Sequence, residues 1–142
     1  MKFEKLMALA VVVGISVQAV PAFAGAGSWN GIVTGPTLYQ TNLVYSSNTA
    51  SAPVSTPSTA QVTALAWSVQ ESYVPSGDAL ALVGSTCGCG WSLPSLSGSG
   101  NYSGASADQP FYFEFEVAQS TTHILTPYVY GGSDNFTVTY SF

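Results

Sequence analysis

The chain ends with Asn135-Phe136-Thr137-Val138-Thr139-Tyr140-Ser141-Phe142, in which large apolar residues alternate with small polar ones. Successive side chains of a β-strand point to opposite faces of the sheet, so this alternation predicts a strand with one apolar face. Because no turn leads out of the strand, we predict that it lies at a sheet edge or pairs with another chain. Its apolar residues form a candidate assembly strand: Phe136, Val138, Tyr140 and Phe142.

Residues 111–117 show the same alternation and predict the core strand of the domain. Phe111, Phe113, Phe115 and Val117 are expected to face inward, with Tyr112, Glu114 and Glu116 outward. Further strands are predicted over 37–46, 79–83 and 120–130. Residues 60–73 fit either a helix or a strand, and the strands around them favour a strand. The sequence thus predicts an all-β antiparallel sandwich, Ig-like or jelly-roll-like, with a small barrel as the alternative.

The connections are predicted from their Gly, Pro and Ser content. Residues 25–36 suggest an N-terminal arm or a short edge strand, and residues 131–134 suggest a hairpin turn into the last strand. Residues 46–59 and 85–110 contain few large apolar side chains, so we predict mobile loops there.

The first residues have the composition of a secretory signal peptide. A short charged head precedes an apolar run over 6–20, and Ala22-Phe23-Ala24 matches the small-x-small cleavage pattern. We therefore predict a signal peptide over residues 1–24, cleavage before Gly25, and a mature protein that is extracellular, on the cell surface or periplasmic. Removing 24 of 142 residues leaves 118, the size of one domain and without a membrane span.

The charge pattern excludes several classes of partner. Both lysines, Lys2 and Lys5, lie in the predicted signal peptide, and the chain contains no arginine. The mature chain has six acidic residues and no Lys or Arg, so its side chains carry a net charge of −6 with His neutral. Without a basic patch, binding to nucleic acid or to anionic lipid is not expected.

Cys87-Gly88-Cys89 is the unusual motif of the sequence. In an oxidising compartment the two cysteines are candidates for a disulfide, since Cα atoms two residues apart can fall within disulfide distance. The alternatives are bridges between chains and a redox or metal role. A metal site would need further ligands, and His123 is the sole histidine.

Two further sets of residues bear on ligand binding. Glu114 and Glu116 share the outer face of a predicted strand and are more typical of a solvated surface than of paired catalytic carboxylates. Exposed aromatic side chains can stack on sugar rings. A charge-poor composition rich in Ser, Thr, Asn and Tyr suits hydrogen bonding to neutral hydroxyls. The candidate glycan-stacking residues are Trp29, Trp91, Tyr102 and Tyr112.

The C-terminal stretch Asp134–Phe142 resembles the closing strand of chaperone–usher pilus subunits, which end in alternating apolar residues with an aromatic near the terminus. The resemblance implies an incomplete sandwich that is completed by the N-terminal arm of the next subunit. The cysteines depart from the family pattern, in which the disulfide joins widely spaced residues.

With no convincing catalytic set, the sequence predicts a secreted, non-enzymatic protein without cofactor or metal. We expect a structural, self-associating or adhesive β-sandwich, similar to a pilus subunit or another surface component, whose partners are itself or other surface subunits. The alternative is a small carbohydrate-binding module that uses the exposed aromatics and takes glycans as partners.

Overall fold

The structure is a computed structural model that describes residues 24–142. The predicted signal peptide lies outside the described residues except for Ala24. The described residues form ten strands and no helix, and so contain no helix that could cross a membrane. The strands are β1 (Ala26–Thr34), β2 (Thr37–Gln40), β3 (Tyr45–Ser46), β4 (Gln61–Ser68), β5 (Asp78–Gly84), β6 (Cys89–Leu93), β7 (Ser97–Asn101), β8 (Phe111–Val117), β9 (Ile124–Tyr130) and β10 (Ser133–Ser141).

The strands form antiparallel sheets that pack as a β-sandwich and do not close into a barrel, which confirms the predicted fold class. One four-stranded sheet has the order β1-β10-β4-β7, and the other has the order β3-β8-β5-β6. A two-stranded sheet of β2 and β9 completes the arrangement. Every pairing between these strands is antiparallel.

The core lies between the two four-stranded sheets. Phe136 of β10 is within 5.7 Å of Phe113 of β8, measured between ring centroids. Trp29 of β1 contacts both Phe111 and Phe136. Edge-on aromatic contacts of this kind bury large surfaces with specific geometry. The inward faces predicted for the strands at 111–117 and 135–142 are both buried, except for Phe142, which follows the last strand and is half exposed.

Several local predictions are corrected by the structure. Residues 85–110 contain β6 and β7 and are not one long loop. The predicted strand at 37–46 is split into β2 and β3, and Asn42 between them has a positive φ of 59°. Residues 131–134 do not form a hairpin turn, because β9 and β10 belong to different sheets. Asp134 instead lies inside β10 and is fully buried.

Candidate functional site

The C-terminal strand, predicted as an edge, is in fact a central strand. β10 pairs with β1 on one side and with β4 on the other, so its backbone hydrogen bonds are made within its own chain. Phe142 exchanges two backbone hydrogen bonds with Gly25, at 2.7 and 2.9 Å. The side chains of Phe136, Val138 and Tyr140 are core residues. The prediction of an open C-terminal strand is therefore wrong, and strand addition at β10 is blocked.

An open edge is found on β1, the N-terminal neighbour of β10. In an antiparallel ladder, residue pairs that exchange two hydrogen bonds alternate with pairs that exchange none. Gly25 and Phe142 form an exchanging pair. Counting in steps of two along the register gives exchanging pairs at Gly27, Trp29, Gly31 and Val33. The residues between these pairs are Ala26, Ser28, Asn30 and Ile32. Their backbone N–H and C=O groups must therefore point away from β10.

One observation supports this alternation independently. Thr34 follows Ile32 by two residues, so its N–H should also point away from β10. It does so, because it donates to the side-chain Oδ1 of Asn48 at 2.6 Å. Asn48 therefore closes the C-terminal end of the β1 edge. Within the described chain, the outward N–H groups of Ser28, Asn30 and Ile32 have no comparable partner.

The side chains of β1 do nothing to block this edge. The strand contains no charged residue and no proline, which are the usual means of preventing edge-to-edge pairing. Ile32 is 70% exposed, although it is a large aliphatic residue. The other edges of the four-stranded sheets are shorter, with two residues in β3 and five each in β6 and β7.

The four candidate glycan-stacking residues do not form one exposed surface. Trp29 is only 5% exposed and its indole N–H donates to the Ala107 carbonyl at 3.1 Å, so it is a core residue. Trp91 and Tyr102 are half-buried and contact each other with ring centroids 6.1 Å apart. Tyr112 is half-buried, and its hydroxyl donates to Oε1 of Glu114 at 3.3 Å.

Three exposed tyrosines on the β2–β9 sheet were missed as candidate binding residues. Tyr39 and Tyr128 make an edge-on contact with centroids 5.0 Å apart, and Tyr130 is also exposed. Tyr39, Tyr128 and Tyr130 form what we call the tyrosine face. The alternation of 120–130 places Tyr128 and Tyr130 on one side of the strand. It does not say whether that side is covered.

Three carboxylates lie close enough for the charges of two to act on the third. They are Glu71, Asp78 at the start of β5 and Asp134 near the start of β10. Burial raises the pKa of Glu71 to about 7, and the neighbouring charges of Asp78 and Asp134 add to the shift. Burial also raises the pKa of Asp78. It raises the pKa of Asp134, although the Gln70 N–H donates to Asp134 Oδ1 at 2.8 Å and partly offsets the effect. Both oxygens of Glu71 are buried without a hydrogen-bond donor among the described residues. Glu71 can therefore hold a proton near neutral pH.

The same end of the molecule carries an open groove of about 480 Å³. Asp78 lines it together with apolar side chains that include Val74, Leu80 and Leu96. A concave, mostly apolar surface with few polar groups is the common form of a small-molecule site. Among residues 24–142, no set of three or more His, Cys, Asp or Glu side chains is arranged to hold a metal ion.

The remaining candidates from the sequence lie apart from one another. Cys87 and Cys89 form a disulfide at the turn between β5 and β6, with Cα atoms 5.1 Å apart. Glu114 and Glu116 border a shallow depression on the outer face of β8. His123 is exposed, and its backbone N–H donates to the Thr41 hydroxyl at 2.9 Å.

Comparison with known proteins adds one solved structure. The chain is similar to the crystal structure of FLHE, with a TM-score of 0.70 and 25% sequence identity, over 82% of this chain and 97% of the FLHE chain. The likeness covers nearly all of FLHE, and its 82% share of this chain means that it extends over most of the sandwich. No protein-family model matches the sequence. No curated protein matches it.

Proposed function

We propose that this chain is a secreted or cell-surface, non-enzymatic subunit that associates with a second copy of itself through the free edge of β1. The proposal rests on one observation, the open row of backbone groups at Ala26, Ser28, Asn30 and Ile32. Unpaired N–H and C=O groups along an edge strand form a template for another strand. Strand addition uses these groups for affinity and the side chains for specificity.

A second copy of β1 fits this edge, because neither strand then carries a charge. Two antiparallel β1 strands related by a two-fold axis near Asn30 would place Ser28 of one copy opposite Ile32 of the other. Such an interface is self-complementary, as two-fold interfaces must be. β1 carries none of the acidic residues of the chain, so its pairing brings no like charges face to face. The result would be one continuous sheet that runs through both copies.

Sedimentation velocity of the mature protein over a range of concentrations tests the proposal. We expect a concentration-dependent monomer–dimer equilibrium. Ile32→Lys places a charge on the edge, as natural edge strands often do, and is expected to shift the protein to monomer. Val54→Lys adds the same charge at a fully exposed loop position and is expected to leave the equilibrium unchanged.

Two results would contradict the proposal. The first is a protein that stays monomeric up to its solubility limit. The second is a dimer that Ile32→Lys and Val54→Lys weaken equally, since the association would then depend on net charge and not on the β1 edge. A monomer that pairs only with a different protein at β1 would retain strand addition but remove self-association.

A second candidate function is carbohydrate binding at the tyrosine face. It is favoured by the exposure of Tyr39, Tyr128 and Tyr130 on one small sheet. Tyrosine rings stack on the apolar faces of sugars while their hydroxyls form hydrogen bonds. Binding to a glycan array that is lost in Tyr128→Ala and kept in Trp91→Phe would support it, whereas an array without signal would exclude it.

A further inference from the structure

The Cys87–Cys89 disulfide contributes little to the fold. It closes a ring over the single residue Gly88, and disulfides stabilise least when the loop they close is shortest. The hairpin is already held by the β5–β6 ladder, in which Gly84 pairs with Cys89 and Val83 with Gly90. The Gly88 N–H also donates to the Gly84 carbonyl at 2.9 Å. The turn is therefore defined by the backbone without help from the sulfur atoms.

The surroundings of Cys87 differ from those of a buried structural bridge. Cys87 is exposed, whereas Cys89 is half-buried and packs against the core. The backbone N–H of Cys89 donates to Cys87 Sγ at 3.2 Å, and the amide Nε2 of Gln109 donates to the same sulfur at 3.5 Å. Hydrogen bonds to a charged group favour the charged form. Two N–H donors are thus placed to stabilise a thiolate at Cys87. They oppose one more distant acceptor, the Gly84 carbonyl oxygen at 3.7 Å from the same sulfur.

Gln109 is held in this position by contacts that do not involve sulfur. Its side chain is buried, and Oε1 accepts hydrogen bonds from the backbone N–H groups of Thr86 and Cys87 at 3.1 and 3.3 Å. Its Nε2 also donates to the Ser106 carbonyl at 2.7 Å. Gly84 leaves room for it, because a Cβ there would lie 2.7 Å from the Gln109 side chain. The donor therefore remains in place when the disulfide opens.

We infer that Cys87–Cys89 is an exchange-active disulfide, opened and closed by external thiols at an exposed turn. The thiolate of an external dithiol attacks Cys87 Sγ and forms a mixed disulfide. The Cys87–Cys89 bond breaks, and Cys89 leaves with the electron pair and takes up a proton. The second thiol of the dithiol then loses its proton and attacks the first dithiol sulfur, which is bonded to Cys87. This closes the dithiol into a disulfide and releases Cys87 as a thiolate. The dithiol is oxidised by two electrons, and the cysteine pair is reduced by two.

One nearby charge opposes the Cys87 thiolate. Asp108 lines the same surface depression as Cys87 and Gln109, and its negative charge disfavours a second one. Asp108 is exposed, so solvent and salt screen its effect, whereas the two N–H donors contact the sulfur directly. The favourable effect of the two donors on the Cys87 thiolate is therefore expected to exceed the unfavourable effect of Asp108. Asp108→Asn should make the pair easier to reduce.

The test treats the folded protein with dithiothreitol at several pH values and counts alkylated cysteines by mass spectrometry. We expect full reduction without denaturant, full reoxidation by oxidised glutathione, and an unchanged circular dichroism spectrum. Because this hydrogen bond stabilises the Cys87 thiolate of the reduced form, Gln109→Leu should lower the equilibrium constant for reduction of the pair about 2- to 10-fold. Asp108→Asn should raise the same equilibrium constant.

A second measurement remains decisive if Gln109→Leu does not fold. Thiolate absorbance is titrated in Cys89→Ser, which leaves Cys87 as the free thiol, and in Cys87→Ser, which leaves Cys89. We expect Cys87 to ionise at lower pH than Cys89. The inference is overturned if Cys87 ionises at the same or higher pH, if the disulfide resists excess dithiothreitol in the folded protein, or if reduction unfolds the chain.

Discussion

At the scale of single residues, Glu71 is the side chain whose environment conflicts most with its charge. Burial and two neighbouring carboxylates raise its pKa to about 7. The folded protein therefore binds a proton at Glu71 more tightly than the unfolded chain, in which the pKa returns to about 4.5. The associated stability is fully present below the unfolded pKa and is lost as the pH rises through the folded one.

We expect the melting temperature to fall as the pH rises from about 5 to about 8, because ionised Glu71 lacks a hydrogen-bond donor. Asp78 and Asp134 shift in the same direction. Calorimetry of Glu71→Gln should give a flatter pH profile and a more stable protein at pH 8, by about 1–3 kcal/mol. The control Asp108→Asn, at an exposed site, should keep the wild-type slope. Equal slopes in wild type and Glu71→Gln would contradict this account.

Phe113 shows the opposite case, a residue whose environment agrees with its chemistry. It is fully buried on β8 and contacts both Phe115 and Phe136. Phe113→Ala removes the ring and leaves a cavity, so we expect it to reduce the free energy of unfolding by about 3–5 kcal/mol. Tyr130→Ala, at an exposed strand position, should cost less than about 1 kcal/mol. Urea denaturation of both variants measures the difference, and similar losses would place Phe113 outside the core.

At the scale of elements, the free edge of β1 is defined by its pairing with β10, in which hydrogen-bonded and non-hydrogen-bonded residue pairs alternate. Ser28 lies at a position whose N–H points away from β10, so proline there removes no bond of that ladder. We expect Ser28→Pro to weaken dimerisation about tenfold or more, with a change in unfolding free energy of less than about 1 kcal/mol. Ser28→Thr keeps the N–H and should still dimerise. A Ser28→Pro protein that dimerises as tightly as the wild type would contradict this account of the edge.

The strand faces could be predicted from the sequence, but the neighbours of each strand could not. Alternation in 111–117 and 135–142 identifies the buried faces, because apolar burial acts on each strand locally. Whether a strand is central or at an edge depends on pairing between distant residues. Ile32 with Asn135 is one such pair. This is why the sequence predicts an edge position for β10, which is central. β1, for which it predicts an N-terminal arm or a short edge strand, is the strand that lies at the edge.

Two other features could not be predicted from the sequence, for different physical reasons. β7 consists of Ser, Gly and Asn, which have no strand signal of their own. It forms because β4 supplies a ladder and because Gly98 fits beneath Trp67, where a Cβ would lie 2.9 Å from the indole. The acidic group was missed because Asp134 is far from Glu71 and Asp78 in the chain and the three residues share no motif.

At the scale of the whole molecule, the sandwich combines an interior rich in aromatics with a surface poor in charge. The core explains how one domain folds around two sheets, and the edge of β1 is the surface through which we propose that two such domains associate. The disulfide turn and the tyrosine face are separate from that edge. The proposed association, thiol exchange and glycan binding can therefore be tested independently of one another.

The central claim is that copies of this protein associate through β1, and amide hydrogen exchange followed by NMR tests it most directly. At low concentration, the amides of Ser28, Asn30 and Ile32 should exchange rapidly, while those of Trp29, Gly31 and Val33 are protected by β10. At concentrations where the dimer forms, the first three should become protected and the second three should change little. A dimer in which Ser28, Asn30 and Ile32 still exchange rapidly would contradict the claim.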